Sequence, residues 1–171
     1  MAVVRLRPMA AHDGPRVLAI YQDGIATGHA TFEAAAPDWP VFDARFHATP
    51  RLVAVIDEAV VGWACLSPTS SRAVYRGVAE VSIYVAAEAR GQGVGRTLLT
   101  ALIEASEAAG FWTLQASLFA ENAASVRLHR ALGFRVMGVR ERIARMSYGP
   151  HAGRWRDTTI LERRSTRAGI D

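Results

Sequence analysis

Apolar positions recur along this chain with a period of two in some segments and of three to four in others. Val3–Arg7 alternates apolar and basic side chains, which predicts a half-buried strand. The apolar residues after Asp13 share one helical face, so a helix is expected to follow this aspartate. Asp38, two residues before a proline, is typical of a helix start and predicts a short helix over Val41–His47.

The middle of the chain predicts a hairpin and a strand followed by a helix. Leu52–Ile56 and Val60–Leu66 are rich in β-formers and lie three residues apart, which favours an antiparallel pair. Ala79–Val85 predicts a further strand. Val94–Ala109 carries apolar residues at helical spacing, and Gly110 is expected to end that helix.

The last third of the chain predicts one more helix between strands. Trp112–Phe119 predicts a strand, and Asn122 is a good N-cap for a helix over Ala123–Leu132. Phe134–Arg140 and Asp157–Leu161 predict the final strands. The sum is an α/β fold with a mixed sheet of six or seven strands flanked by helices.

The length of 171 residues fits one domain, which we expect to cover residues 1–165, with residues 166–171 as a C-terminal tail. Half of the residues are apolar and 21% are charged, which is the composition of a folded chain. The N-terminus lacks the apolar core of a signal peptide, and no run approaches about 20 apolar residues. The sequence therefore predicts no membrane span.

The net charge of +4 is modest, and the 20 basic residues are all arginine. They are scattered, apart from a cluster of Arg163, Arg164 and Arg167 that we interpret as a solvated tail. No nucleic-acid partner is expected. Cys65 is the only cysteine, so neither an intrachain disulfide nor a thiolate metal site can form, and a reducing cytoplasm fits best. We predict no metal.

The most specific segment of the chain is Arg90–Arg96, which reads Arg-Gly-Gln-Gly-Val-Gly-Arg between a predicted strand and a predicted helix. Glycines let the backbone approach an anion closely, and the helix that follows offers free N–H groups and a positive dipole end. A Walker loop is excluded because the chain has no lysine. A dinucleotide fingerprint needs a third glycine where Arg96 stands. The segment predicts a pyrophosphate cradle, although such a turn alone is as often a plain connection.

The remaining pattern, Arg-x-x-Gly-x-Gly, resembles the acetyl-coenzyme A loop of the GCN5-related N-acetyltransferases (GNAT family). The order of the predicted elements is also that of the family. Further similarity to its amino-acid-analogue members, which acetylate phosphinothricin, methionine sulfoximine or arsinothricin, lies in Ser71–Gly77, Trp112–Ala116 and Gly153–Asp157. The resemblance covers most of the chain and is weakest from Pro8 to Pro50.

The resemblance implies acetyl-CoA as co-substrate, held by the glycine loop and by the strand before it. In the family that strand carries the pantetheine arm, and a freed amide, here that of Val85, hydrogen-bonds the thioester carbonyl. The expected cofactor-binding residues are Ile83, Tyr84, Val85, Arg90, Gly91, Gln92, Gly93, Val94, Gly95, Arg96 and Asn122.

Two residues are candidates for proton transfer. An alkylammonium has no lone pair, so its attack needs a base, and Glu80 is placed on the polar face of its predicted strand. The alternative for Glu80 is an ion pair with an arginine. His129 stands where many acetyltransferases have tyrosine, and the resemblance implies an acid for the departing thiolate. The alternative for His129 is a packing role.

The resemblance also implies residues that bind the acceptor. Arg72 and Arg76 offer guanidinium forks for the acidic end of a zwitterion, Tyr75 is expected to shape the pocket wall, and Phe32 matches a pocket aromatic. Ordinary surface charge is the alternative for the two arginines.

The sequence thus predicts an enzyme that moves acetyl from acetyl-CoA to the α-amine of a small amino-acid analogue. Transfer is expected to be direct, within a ternary complex, because no activated cysteine or lysine is evident. The resemblance implies a homodimer. The alternatives are a protein or peptide N-acetyltransferase, and a sensor that binds acetyl-CoA without catalysis.

Overall fold

A computed structural model describes residues 3–170 and contains, within that range, seven strands and four α-helices. The strands are β1 (Arg5–Pro8), β2 (Arg51–Ile56), β3 (Ala59–Pro68), β4 (Val78–Val85), β5 (Thr113–Phe119), β6 (Arg135–Arg145) and β7 (Trp155–Arg164). The helices are α1 (Gly14–Ala26), α2 (Trp39–Arg45), α3 (Val94–Ala108) and α4 (Ala123–Ala131). Residues 1, 2 and 171, which the predicted domain and tail include, lie outside the described residues.

The predicted α/β class is confirmed, and all seven strands form one mixed sheet in the order β1-β2-β3-β4-β5-β7-β6. The predicted elements are all present, but β6 and β7 are longer than expected. β6 runs to Arg145 because it pairs with β7 well beyond the predicted end at Arg140. As an edge strand it is exposed along nearly its whole length, so no apolar alternation marks where it stops.

The sheet is open in its middle. Every neighbouring pair of strands is antiparallel except β4 and β5, which are parallel and pair only through Val78–Glu80 and Thr113–Gln115. Beyond Glu80, β4 continues to pair with β3 as far as Val85. β4 and β5 therefore diverge, and a gap opens between them.

Helices cover both faces of the sheet, which explains why β3 is buried from Val60 to Leu66. Ala64 and Leu66 face the side of α3 and belong to its apolar cluster. Trp63 and Cys65 face the opposite side, among the residues of α1 and α2. Within residues 3–170, no helix combines the length and apolar character needed to cross a bilayer.

The C-terminal arginine cluster is only partly solvated, because Arg163 packs against the domain while Arg167 is 74% exposed. Arg163 donates to Glu107 at 2.8 Å, and Arg167 lies 3.8 Å from the same carboxylate. The Arg163 hydrogen bond holds the pKa of Glu107 below its ordinary value. Ala168 is buried, so the segment after β7 packs against the domain.

Candidate active site

A cavity of about 1130 Å³ lies at the gap between β4 and β5. One end is formed by the loop before α3, and the other by the loop after α1 together with β6 and β7. Because the gap passes through the sheet, groups from both faces reach one space. The geometry suits a long ligand entering from the α3 side and a smaller one from the α1 side.

The loop before α3 has the backbone of an anion cradle. Gly91 and Gly93 adopt φ angles of 75° and 82°, and a Cβ on either would meet nothing within 4 Å. Backbone conformation, rather than crowding, therefore selects glycine here. The first helical bond runs from the Thr97 N–H to the Gly93 carbonyl at 3.0 Å, so the N–H groups of residues 94–96 have no helical acceptor.

Most of the predicted cofactor residues line this cavity. They are Ile83, Tyr84, Val85, Arg90, Gly91, Gly93, Val94, Gly95 and Asn122. Gln92 and Arg96 are absent from the lining, and the Gln92 side chain instead donates to the Glu88 carbonyl at 2.9 Å, which braces the loop. Free amides at a helix start, beside a glycine cradle, fit the diphosphate of acetyl-CoA.

The backbone of β4 offers a donor inside the gap. The Ala86 N–H donates to the Val61 carbonyl at 2.8 Å, and the register pairs Val85 with Gly62. Since hydrogen-bonded and non-hydrogen-bonded pairs alternate in an antiparallel ladder, the Val85 N–H points away from β3. It therefore points into the gap and has no acceptor on β3.

Glu80 lies at the last parallel pair, opposite Gln115, and lines the cavity. Burial raises the pKa of its carboxyl, and the nearby Arg140 charge opposes part of that rise. Among residues 3–170 no arginine lies within 4.0 Å of this carboxylate, so the alternative of a structural ion pair is not observed there. Glu80 is thus a carboxylate that gains a proton more readily than usual.

His129 is buried on α4 and is one of the residues that line the cavity. Its Nδ1 lies 2.8 Å from the Ser125 carbonyl, which can only accept, so Nδ1 carries the hydrogen. Its Nε2 has no partner among the described residues and holds a lone pair. Burial lowers the pKa of His129, which keeps the ring neutral near pH 7. In this state His129 accepts a proton and cannot donate one.

The predicted acceptor residues separate into two groups. Phe32 lines the cavity and packs edge-on against Phe119, with ring centroids 4.9 Å apart. Arg72, Tyr75 and Arg76 lie in an exposed turn before β4 and are absent from the cavity lining. The Arg72 guanidinium lies over the Tyr75 ring, and that of Arg76 over Trp112, both at 5.5 Å. Their role in binding stays a prediction.

Sequence reasoning missed an anchor that holds the loop after α1. The buried Arg156 donates to the Gly28 carbonyl at 2.9 Å and to His29 Nδ1 at 3.2 Å, and it stacks on Phe119. Because an arginine only donates, His29 carries its hydrogen on Nε2, which donates to His151 Nε2 at 3.2 Å. These hydrogen bonds fix the backbone of the loop that carries Phe32. The sequence does not predict them, because Arg156 reaches Phe119 and this loop only through the pairing of β5 with β7.

Sequence reasoning also missed Arg140 and Thr158, which face the cavity from β6 and β7. Both lie in segments predicted as strands, but only the strand order shows which face of those strands meets the site. No group of three or more metal-ligating side chains is found within residues 3–170.

A splayed parallel pair with an anion cradle on one side and a carboxylate on the other defines an enzyme that uses an acyl-coenzyme A. The chain belongs to the GNAT acetyltransferase family, whose model matches residues 19–134. It is therefore an acetyl-CoA-dependent N-acetyltransferase, as the sequence predicted.

Several curated relatives match nearly the whole chain. It is 38% identical to a phosphinothricin N-acetyltransferase of Alcaligenes faecalis, over 92% of this chain and 81% of that protein. It is 34% identical to an L-methionine sulfoximine/L-methionine sulfone acetyltransferase of Pseudomonas paraeruginosa, over 92% of each.

Solved structures give the same fold. A phosphinothricin acetyltransferase from Sinorhizobium meliloti in complex with AcCoA superimposes with a TM-score of 0.87 at 31% identity, covering 98% of this chain and 91% of that one. A ribosomal-protein-alanine N-acetyltransferase from Brucella melitensis superimposes with a TM-score of 0.82 at 34% identity, covering 94% and 99%.

Proposed function

We propose that this enzyme acetylates the α-amine of a small amino-acid analogue of the phosphinothricin, methionine sulfoximine or arsinothricin type. The observation that carries the proposal is the acceptor end of the cavity, where the Glu80 carboxylate and the Arg140 guanidinium face one space. Opposite charges that face the same cavity suit a zwitterion. The names of the curated relatives support the same substrate class.

In the proposed reaction, each step is served by a group of this chain. The glycine loop holds the diphosphate, and the Val85 N–H donates to the thioester carbonyl oxygen as negative charge develops there. Glu80 takes the proton of the acceptor ammonium, directly or through water. The amine nitrogen then forms its bond to the carbonyl carbon, the carbon–sulfur bond breaks, and the second proton that the nitrogen loses reaches the departing sulfur. The raised pKa of Glu80 makes this carboxylate a stronger base than an exposed one.

The experiment that tests this function is thiol release from acetyl-CoA by the purified protein with a panel of acceptors. The panel contains phosphinothricin, methionine sulfoximine, methionine sulfone, arsinothricin, a polyamine and an N-terminal peptide. We expect turnover with the amino-acid analogues only. Turnover with the peptide alone would support the protein N-acetyltransferase that the Brucella neighbour is named as, and tight cofactor binding without any turnover would support a sensor.

His129 is proposed as a relay for the proton that reaches the sulfur. As a neutral ring it must first take a proton at Nε2, most simply from the acceptor nitrogen, before it can give one to the departing thiolate. His129→Ala is expected to lower kcat by less than about 100-fold, because solvent can replace the relay. His47→Ala is the control, since it removes a half-buried imidazole that does not line the cavity. An equal effect of both substitutions on kcat would make His129 structural.

Direct transfer predicts that Cys65 takes no part. Its side chain is fully buried in β3, and burial raises the pKa of its thiol to about 12, so no thiolate is available for attack. Cys65→Ala is expected to keep kcat near the wild-type value, and rapid mixing to give no burst of acetylated enzyme. Acetyl found on Cys65 by mass spectrometry after quenching would contradict direct transfer.

A homodimer is proposed to cover the edge strand β6. Val136, Met137, Val139 and Ile143 on this strand are each about half exposed, and so is Trp155 on β7. An apolar sheet edge with unpaired backbone groups is rarely left bare. Sedimentation is expected to give twice the 18.5 kDa chain mass, and Val139→Glu to give the single-chain mass. Val74→Glu, at an exposed valine outside β6, is the control, and a monomeric wild-type protein would contradict the proposal. We also propose that the enzyme works in the cytoplasm, which cell fractionation would test.

A further inference from the structure

Arg140 is a cation at the acceptor end of the cavity that has no carboxylate partner within 4.0 Å among residues 3–170. We propose that Arg140 binds the acidic group of the acceptor and thereby selects zwitterions over simple amines. The inference rests on the proposed function. It differs from the sequence prediction, which gave this task to Arg72 and Arg76.

The register of the sheet places Arg140 on the same face as the base. Glu80 is paired with Gln115, and two-residue steps along β5 lead from Gln115 to Phe119 on that same face. Phe119 is paired with Thr158, and Thr158 with Arg140. A row of side chains on four strands, β4, β5, β7 and β6, therefore leads from the carboxylate to the guanidinium across one surface. That surface is the wall of the cavity between them.

A bulge in β6 follows directly after Arg140. Between the pairs Arg140↔Thr158 and Ala144↔Arg156, β6 advances by four residues while β7 advances by two. Arg142 adopts a φ of 47°, and its N–H donates to Asp157 at 2.8 Å, which fixes the bulge. Bulges bend a strand and re-aim its side chains, and they are common beside active sites. Here the bulge lies directly beside an arginine that lines the cavity.

Thr158, between Arg140 and Phe119, supplies an independent sign of a ligand. Its side chain is buried, at 6% exposure, yet its hydroxyl has no hydrogen-bond partner among the described residues. An unpaired buried hydroxyl is costly, and native proteins rarely retain one without a reason. Thr158 also lines the cavity, so an acceptor oxygen held by Arg140 would satisfy this hydroxyl as well.

The two ends of a zwitterion then match the two charges of the wall. Glu80 faces the ammonium group, and Arg140 with Thr158 faces the acidic group. A simple amine leaves Arg140 without a partner and is bound less well. Arg72 and Arg76 lie outside this wall, over the rings of Tyr75 and Trp112.

The test is calorimetric binding of methionine sulfone to the CoA-loaded protein, which does not require turnover. Methionine sulfone carries only one acidic group, its α-carboxylate, and its primary amide removes that charge while keeping the shape. Wild type is expected to bind the acid more tightly than the amide. In Arg140→Gln the affinity for the acid is expected to fall about 10- to 100-fold, with little change for the amide. Arg140→Lys is expected to restore part of the preference.

The matched control is Arg135→Gln, which removes the same charge from the same strand at a side chain 69% exposed and paired with Glu162. It is expected to leave binding unchanged. Phosphinothricin and its amide form a second arm that distinguishes the two acidic groups of that compound. If Arg140 binds the phosphinate instead of the α-carboxylate, Arg140→Gln lowers the affinity for phosphinothricin and for its amide equally. The affinity for methionine sulfone then stays unchanged.

Three results would overturn the assignment. They are unchanged binding of both compounds by Arg140→Gln, a loss found in Arg72→Gln instead, and wild-type protein that binds neither acid. Acetyl-CoA affinity and melting temperature identify a variant that merely fails to fold, and in that case Arg140→Lys carries the test. If binding depends on Arg140 but no acetyl transfer occurs, the proposed function is wrong and this inference still holds. If acetyl transfer to the analogues is unchanged in Arg140→Gln, this inference is wrong and the proposed function still holds.

Discussion

Glu80→Gln is expected to lower kcat by about 100- to 10,000-fold, the range that a general base contributes. The amide keeps the shape of the side chain but cannot take the ammonium proton. The dissociation constant of acetyl-CoA is expected to stay near the wild-type value, since Glu80 lies on the acceptor side of the gap and away from the glycine loop. Steady-state assays with the preferred acceptor measure kcat, and calorimetry measures the dissociation constant of acetyl-CoA.

The pH profile gives a second, independent signature of Glu80. The base acts as a carboxylate, and burial raises its pKa, so the wild-type rate is expected to fall as the pH drops through a value above the ordinary glutamate range. Glu80→Gln has no such group to protonate. Its residual rate should rise steadily with pH as the free amine fraction of the acceptor grows.

Glu33→Gln is the matched control for Glu80→Gln. Glu33 also lines the cavity, but it lies 3.3 Å from Arg45 and is paired already. A fall in kcat of less than about tenfold is expected, because this substitution loses a partly exposed ion pair and no base. Equal losses in the two variants, or wild-type turnover by Glu80→Gln at neutral pH, would remove Glu80 from the mechanism.

The cofactor half of the site follows from the sequence because its chemistry is local. A cradle that uses backbone amides needs glycines at fixed spacing and a helix start directly after them, and both are contiguous between Arg90 and Thr97. The elements on either side are marked by strong periodicity. The sequence therefore predicts both the loop and its diphosphate ligand without knowledge of any long-range contact.

The acceptor half does not follow in the same way, because non-local pairing builds it. Arg140 and Thr158 face the cavity only because β7 is inserted between β5 and β6, an order that no local pattern encodes. The bulge after Arg140 interrupts the two-residue period of β6, so the faces of Ile143 and Ala144, which also line the cavity, do not follow from the sequence. Arg72 and Arg76 are close to Glu80 along the chain, yet the turn that carries them packs elsewhere.

One structural event serves both halves. The β4–β5 pairing ends at Glu80, which frees the amides of the outer part of β4 for the thioester and leaves the Glu80 carboxylate at the edge of the gap. The proposed base, Glu80, and the proposed carbonyl donor, the Val85 N–H, are thus five residues apart on one strand. Their relative position is fixed before any substrate binds, which is the condition under which such donors help most.

Arg156→Met is expected to destabilise the fold by about 3 kcal/mol. The substitution keeps an apolar stem of similar length but leaves the buried Gly28 carbonyl without its donor, at a cost of about 1–3 kcal/mol. It also removes the guanidinium that lies 4.0 Å from the Phe119 ring centroid, a contact worth about 1–2 kcal/mol when desolvated. At a fixed protein concentration, the melting temperature is expected to fall by about 6–12 °C for a chain of this length.

The same substitution is expected to act on the acceptor and not on the cofactor. Arg156 fixes residues 28 and 29, which precede Phe32 in the loop that lines the acceptor end, so its loss should raise the acceptor KM while acetyl-CoA affinity stays unchanged. Arg154→Met is the control, since Arg154 is exposed and its guanidinium carries none of these contacts. If the two variants melt at the same temperature with the same KM, Arg156 does not anchor the loop.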